Sequence, residues 1–295
     1  MRRTSIRFRL MILMICLTTL PVITVTWIAT NNTRDSVEKE IIEANRSRMM
    51  WADQYLDELI QQMDILFYTL QINDELMTGL NDIDSTDIAT LTSVFYANSR
   101  KVDNLTLYMH ANERAFSVNF ANSGIISLLD ITNGPWSRML KSPINMYFEQ
   151  FGNRIYAFHS INRFPDKELQ GGISVLINLK VWEEVSEILQ SEAESSVFLI
   201  NDEGELLSGS TATEQSSEIQ EQLLRVDSLD SELKFLRTDH YFYFMKKVDD
   251  GQLTVVKAIP TETITQSART TITAGILTGS IFAFVSILLS ILVSL

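Results

Sequence analysis

The chain has little of the chemistry that enzymes and metal sites require. Among its 295 residues there is one cysteine, Cys16, and the only histidines are His110, His159 and His240. A single cysteine excludes an intrachain disulfide, so a domain of this length must be stabilised by its own hydrophobic core. The phosphate-binding Gly-x-x-x-x-Gly-Lys, zinc-binding His-Glu-x-x-His and redox Cys-x-x-Cys motifs are all absent. We therefore expect no catalytic residues, no metal site and no cofactor in this chain.

Basic residues are scarce as well. The chain has 24 Lys and Arg against 37 Asp and Glu, which gives a net charge of −13 even though Arg2, Arg3, Arg7 and Arg9 lead it. Such an acidic surface repels nucleic acid and anionic lipid headgroups, so neither is expected as a ligand. The acidity is explained more simply by the solubility of an exposed domain.

Charge is missing altogether from two runs, Leu10 to Thr33 and Thr270 to Leu295. Both exceed the ~20 residues that a helix needs to cross a bilayer. The arginines before the first run place the N-terminus in the cytoplasm. A cleaved signal peptide is the alternative, but the first run is longer than the usual apolar region, and Thr26 to Thr30 lacks a small-x-small cleavage site. We expect a multi-pass protein of the plasma membrane whose central segment is extracellular.

The central segment begins with a long helix. No glycine or proline occurs from Arg34 to Ile72. An apolar stripe at three- and four-residue steps predicts its packing face, and its members are Leu56, Leu59, Ile60, Met63, Leu66, Phe67 and Leu70. The alternative is that part of the helix, around Val37, Ile41 and Ala44, packs on the same helix of a partner subunit instead of on its own domain. We therefore expect a homodimer.

Further along the chain, a short helix near Asp87 to Ser99 is followed by alternating patterns that are typical of strands. The predicted strands are Asn104–Met109, Arg114–Phe120, Asn145–Phe151, Arg154–Ile161, Ile173–Leu179, Ser196–Leu207 around a tight turn, Lys234–Leu236, Tyr241–Lys247 and Leu253–Ile259. Helices are predicted at Val181–Leu189, Thr213–Val226 and Thr261–Arg269. Gly152-Asn153 predicts a two-residue type I′ hairpin turn.

This order of elements resembles the double Cache sensor domain. The resemblance depends on Gly172–Ile177, Phe198–Leu207 and Val255–Pro260, while Ile6–Ile23 followed by Trp51–Leu70 looks most like the YesM-type sensor histidine kinases of Gram-positive bacteria. It implies an α+β fold, with two membrane helices flanking an extracellular double Cache (PAS-like mixed α/β) domain that has a long N-terminal helix. The implied divisions are a cytoplasmic N-terminus (1–9), membrane helix 1 (10–33), long helix and membrane-distal subdomain (34–190), membrane-proximal subdomain and exit helix (191–269) and membrane helix 2 (270–295).

The resemblance also implies a function. In that family an extracytoplasmic domain senses a ligand and signals across the membrane to a kinase part, which acts on a cytoplasmic response regulator. Here the chain stops at Leu295, before any such part, so we expect the sensor half of a two-component histidine kinase. The alternatives are a membrane-tethered binding protein, or the sensor half of a chemoreceptor, a cyclase or a transmembrane AraC-type regulator.

A ligand pocket needs an apolar lining with a few aimed polar groups. Strand alternation places Tyr156, Phe158 and Ser160 on one face of the distal sheet, and an aliphatic set on the other face, towards the long helix. The Tyr156 face is therefore the predicted pocket, with Tyr108, Trp136 and Arg163 as further lining residues. Aromatic rings stack on sugars and a guanidinium pairs with carboxylate, so a sugar or a carboxylate is the expected small-molecule ligand. The alternative is that these aromatic residues only fill the core.

Overall fold

The computed structural model describes residues 6–73, 85–110, 113–126, 136, 138–139, 146–163, 168–190, 195–209, 232–248 and 252–294. The chain divides into two compact units. The first comprises Met1–Arg46, Asp239–Tyr241 and Ile259–Leu295, and the second comprises Ser47–Thr238 and Phe242–Ala258. The predicted helix Thr213–Val226 lies outside the described residues.

Four helices are described: α1 (Ile6–Gln71), α2 (Ser85–Asn98), α3 (Leu179–Leu189) and α4 (Thr261–Ser294). The prediction that one helix continues from the first uncharged run into the central segment is confirmed, and Pro21 lies within it. Helix α4 likewise continues into the second uncharged run.

In the first unit, α1 and α4 approach each other closely at Gly279. A Cβ atom placed there would lie 2.6 Å from Oγ1 of Thr26, so a larger residue would require the Thr26 side chain to shift. Along both helices large apolar side chains point outward, including Leu13, Leu17, Leu20, Ile23, Leu277, Phe282, Phe284 and Leu288. Within the part of the chain that the structure describes, no helix combines the length and the hydropathy that a membrane crossing requires.

The second unit contains a six-stranded sheet, called the first sheet here. Its strands are β1 (Val102–Met109), β2 (Arg114–Asn119), β3 (Ser123–Ile126), β4 (Met146–Phe151), β5 (Arg154–Arg163) and β6 (Glu168–Ile177). Their spatial order is β3-β2-β1-β6-β5-β4, and all neighbouring pairs are antiparallel. All seven members of the predicted apolar stripe of α1 are buried. Among them Phe67 stacks on the ring of His159 in β5 at 5.2 Å, which confirms that α1 covers the aliphatic face.

The second sheet has five strands: β7 (Ser196–Asn201), β8 (Leu206–Gly209), β9 (Lys234–Arg237), β10 (Tyr241–Val248) and β11 (Leu253–Pro260). Their order is β8-β7-β11-β10-β9. The strand, acidic glycine turn and returning strand predicted over Ser196–Leu207 correspond to β7 and β8. Gly204 in this turn has φ +81°, a conformation that glycine adopts without strain.

Polar contacts also attach α1 to its neighbours in the second unit. Tyr55 donates a hydrogen bond to Glu184 of α3, and Nζ of Lys246 in β10 lies 3.3 Å from the carboxylate of Asp53. Burial raises the pKa of Asp53, and the charge of Lys246 only partly offsets this effect. One ion pair and one hydrogen bond at its flank therefore help to position the helix, together with its apolar face.

Three local predictions differ from the structure. The strand predicted as Ile173–Leu179 begins earlier, at Glu168, and ends at Ile177, because Asn178 caps α3 by accepting a hydrogen bond from the backbone N–H of Lys180 at 2.9 Å. The hairpin across Gly152-Asn153 is confirmed, but its type is wrong. Only Gly152 has a positive φ (+64°), which is the pattern of a type II′ turn. Strand β3 was not predicted at all.

Candidate functional site

The candidate site lies on the face of the first sheet that is turned away from α1. Residues paired across antiparallel strands share a face, and the observed register arranges this face as three rows that run across the strands. The first row is Glu149, Tyr156, Leu176, Asn104 and Asn119, the second is Tyr147, Phe158, Ser174, Thr106 and Ser117, and the third is Ser160, Gly172, Tyr108 and Ala115. The rows combine aromatic rings with small polar groups, among them Thr106, Ser117 and Ser174.

Aromatic rings from these rows and from Trp136 form one cluster. The Trp136 ring lies 5.7 Å from Tyr108 and 5.3 Å, edge to face, from Phe158. Phe158 in turn stacks on Tyr147 at 4.9 Å and lies 5.9 Å from Tyr156. Such geometries give each pair a stabilising contribution beyond that of the buried area. All of these rings are buried except that of Tyr156, which is partly exposed.

Burial dominates the electrostatics of the cluster. It raises the pKa of Tyr147, and the nearby carboxylate of Glu149 raises it further. It raises the pKa of Tyr108 as well, with a smaller contribution from Glu113. Both phenols therefore stay neutral at ordinary pH and can donate hydrogen bonds.

The structure brings together most of the residues predicted to line the pocket. Tyr108, Trp136 and Tyr156 belong to the aromatic cluster. Ser160 lies on the same face in the third row, buried, and its hydroxyl oxygen accepts a hydrogen bond from the amide of Asn162 at 2.9 Å. Arg163 is the last residue of β5, paired with Glu168. It therefore lies at the strand end, one residue beyond the bulge between Ile161 and Asn162.

Sequence reasoning missed the guanidinium that contacts the cluster, which belongs to Arg138. Its Cζ lies 4.5 Å above the centroid of the Tyr147 ring. Its nitrogens also form a two-pronged ion pair with Asp202, at 2.9 and 3.3 Å, and contact Glu203 at 3.0 Å. Burial alone would lower the pKa of Arg138, but the hydrogen bond and charge of Asp202, together with the charge of Glu203, raise it above its ordinary value. Its position beside Trp136 in the sequence was the available signal.

The turn that contains Asp202 is held to the first sheet by Asn201. The amide oxygen of Asn201 accepts hydrogen bonds from the backbone N–H groups of Glu203 and Glu205, at 3.1 and 2.8 Å. Its amide nitrogen donates to the carbonyl of Phe148 in β4 at 3.3 Å. A single buried side chain thus shapes the β7–β8 turn and joins it to β4.

The polar end of the same face is preorganised. Asn104, Thr106 and Ser117 form a closed set of hydrogen bonds, with donor–acceptor distances of 2.8 to 3.2 Å.

Next to Asn104, a cavity of about 680 Å³ opens between the first sheet, α3 and β8. Its walls include Asn119 from the sheet and Trp182 from α3. The described residues contain no group of three or more His, Cys, Asp or Glu side chains placed to hold a metal ion.

No protein-family model and no curated protein matches this chain. Solved structures do resemble it. The extracellular domain of the histidine kinase mmHK1S-Z3 has a TM-score of 0.56 at 13% identity, over 79% of this chain and 97% of that chain. The periplasmic sensory domain of the Campylobacter jejuni chemoreceptor Tlp1 has a TM-score of 0.53 at 12% identity, over 77% and 98%.

An extracellular ligand binding receptor from Desulfohalobium retbaense is similar as well, with a TM-score of 0.51 at 13% identity, over 72% of this chain and 39% of that chain. The fold of this chain is therefore the fold of extracytoplasmic sensory domains of histidine kinases and chemoreceptors. The predicted mixed α/β sensory fold is confirmed at that level.

Proposed function

We propose that this chain is the extracytoplasmic ligand-sensing and transmembrane signalling module of a two-component sensor histidine kinase. The main support is the aromatic cluster, in which Tyr108, Trp136 and Tyr156 meet on the face of the first sheet that is turned away from α1. A core that only fills space has no need of buried hydroxyls, whereas Tyr108, Tyr147 and Ser160 supply three of them on this face. The expected ligand is a small sugar or carboxylate.

The proposed subdomains are a membrane-distal one, residues 34–190, and a membrane-proximal one, residues 191–269. In this proposal the flanking runs 10–33 and 270–295 cross the plasma membrane and residues 1–9 are cytoplasmic. The outward-facing side chains of Leu17, Ile23 and Phe282 support it, because exposed rows of this kind need an apolar solvent. In intact cells, external protease should spare an N-terminal tag and cut the central segment. Cleavage of the tag would contradict this orientation.

A homodimer is proposed for the same module. Met50, Trp51, Ile65 and Tyr68 of α1 are all exposed. At 100° per residue they fall on the side of α1 opposite to its buried stripe. A second copy of the chain, presenting the same helix, is the partner that would cover them.

The output is proposed to be a YesM-type kinase part and a cytoplasmic response regulator. The support is the sequence resemblance, together with the occurrence of this fold in histidine kinase sensory domains. Fusion of residues 1–295 to the catalytic part of a YesM-type kinase should give ligand-dependent autophosphorylation. A fusion whose activity never responds to any ligand that binds the outer segment would argue for a tethered binding protein instead.

The ligand site is tested by a thermal-shift screen of sugars and carboxylates on the full chain, because a compound that binds only the folded state raises the melting temperature in a concentration-dependent way. The response should weaken in Tyr156→Ala and Trp136→Phe, while Tyr243→Phe, a buried tyrosine of the second sheet, serves as the matched control. A compound that stabilises the first two variants as well as the parent, but not the third, would place the site on the second sheet.

A further inference from the structure

The cavity beside Asn104 has a polar lining of an unusual kind, rich in amides. Asn119, Gln150 and Asn153 line it. Each of these side chains offers both a donor and an acceptor. The oxygen of Asn119 is occupied by the backbone N–H groups of Ala121 and Asn122, at 2.9 and 2.8 Å, which leaves its amide nitrogen as a donor. Groups of this type match hydroxyls, which also donate and accept.

The charges in the lining are balanced. One carboxylate, Asp103, and one guanidinium, Arg154, line the cavity. The carboxylate of Asp103 already accepts a hydrogen bond from the amide of Asn178 at 2.7 Å. With one charge of each sign, a ligand with net charge gains little attraction from this site. A neutral ligand is favoured.

The opposite wall of the cavity is apolar. Trp182 and Leu207 line it, and only 5% of Trp182 and 1% of Leu207 remain exposed. A wall of this kind packs well against the C–H face of a ligand ring.

We propose that this cavity is a binding site for a neutral saccharide. Sugar hydroxyls match the amides and Arg154, while the C–H face of a pyranose ring matches the apolar wall around Trp182. The site draws on β5 of the first sheet and on β8 of the second, so a bound sugar contacts both sheets. The inference concerns a site separate from the aromatic cluster, and it holds whether or not that cluster binds a ligand.

The test uses the full chain in lipid nanodiscs, because many detergents carry sugar headgroups that would compete. The probes are glucose, galactose, xylose, rhamnose, maltose, cellobiose, lactose and sucrose, with galacturonate as a charged counterpart of galactose. At least one neutral sugar should raise the melting temperature in a saturable way. Arg154→Gln should weaken its binding about tenfold, as expected for the loss of a charged hydrogen bond. Trp182→Phe should weaken it as well, because the smaller ring covers less of the C–H face of the sugar.

The matched controls are Arg100→Gln and Trp51→Phe, which change the same residue types at exposed positions outside the cavity. Both should bind the sugar as the parent does. The proposal is overturned if no neutral sugar binds, if galacturonate is the tightest ligand, or if Arg154→Gln binds the sugar as well as the parent does. If Trp182→Phe folds poorly, the result for Arg154→Gln alone decides. Loss of binding in Trp136→Phe alone would assign the sugar to the aromatic cluster, so this proposal would fail while the proposed function stood.

Discussion

Arg138 and Asp202, 64 residues apart in the sequence, face each other as a two-pronged ion pair at 2.9 and 3.3 Å. Arg138 also lies over the ring of Tyr147 in the aromatic cluster, while Asp202 belongs to the β7–β8 turn of the second sheet. The ion pair therefore connects the aromatic cluster directly to the second sheet. A planar guanidinium that pairs with a carboxylate through two bonds fixes the relative orientation of the two groups, so this ion pair holds the turn of the second sheet in a defined position against the cluster.

Breaking this pair should cost stability in a non-additive way. In a double-mutant cycle with Arg138→Gln and Asp202→Asn, we expect a coupling free energy of about 1 kcal/mol, since Asp202 is partly exposed and its charge is screened. Urea denaturation of the four proteins measures it. Arg100→Gln combined with Asp202→Asn is the control and should be additive. Additivity in the first cycle as well would mean that the two side chains do not interact in solution.

The two sides of α1 should respond differently to truncation. Leu66 is 2% exposed and its neighbour Ile65 is 64% exposed. Leu66→Ala should lower the free energy of unfolding by about 2–5 kcal/mol, because it leaves a cavity under the first sheet. Ile65→Ala, the control on the same helix, should change it by less than about 0.5 kcal/mol in the monomer. Equal losses would show that the buried face of the helix has been assigned wrongly.

Gly171 should tolerate no larger residue. A Cβ atom there would lie 2.3 Å from the backbone carbonyl oxygen of Tyr108, so the strands themselves would have to separate. We expect Gly171→Ala to destabilise the protein by about 1–3 kcal/mol, the usual range for overpacking. Gly124→Ala, in β3 of the same sheet with open space around it, is the matched control. Thermal unfolding that is identical in both variants would contradict the close approach of β1 and β6.

Alkaline pH should act through Tyr147. Its folded pKa is raised above the ordinary value of 10, chiefly by burial, so the folded protein keeps a proton that the unfolded chain loses. The stabilisation is complete below pH 10 and is lost as the pH rises further. From about pH 9 to about pH 11, Tyr147→Phe should therefore lose stability less steeply than the parent. Tyr241→Phe, at a tyrosine outside the cluster, is the comparison, and parallel slopes for parent and Tyr147→Phe would refute the assignment.

The proposed dimer predicts where cysteines should cross-link. In a Cys16→Ser background, Ile65→Cys in membranes should form an intermolecular disulfide under mild oxidation, because the exposed side of α1 faces its own copy. Arg100→Cys, exposed but located after α2, should not. The disulfide requires Cα atoms within about 7 Å of each other. Cross-linking at equal rates at both positions would point to random collision rather than to a dimer.

The parts of this fold that follow from the sequence are those where one pattern dominates. The stripe that contains Leu66 predicted the buried face of α1, and the alternation through Tyr156 and Phe158 separated the two faces of β5, as the stacking of Phe67 on His159 confirms. Both patterns reflect burial, which acts on every residue of an element.

What the sequence did not reveal depends on tertiary contacts. The predicted strand began only after Gly171 and Gly172, yet both lie inside β6. Glycine is required at these positions because the carbonyl of Tyr108 and the side chain of Met139 leave no room for a Cβ atom. Strand β3 has only four residues and obtains its structure by pairing with β2. The role of Arg138 depends on a partner far away in the chain, which no local spacing can show.

The three aligned rows of the first sheet also decide where this domain can change in length during evolution. Strand β6 is paired on both sides, with β1 and with β5. An insertion of one residue there would turn Ile173 and Val175 towards the aromatic rings, and Ser174 towards α1. Because both edges of β6 are hydrogen-bonded, the shift in register would also disrupt its pairing with both neighbouring strands. The two-residue tip at Gly152-Asn153 has no such constraint. Relatives of this chain should therefore differ in length at that hairpin tip and keep the length of β6 unchanged.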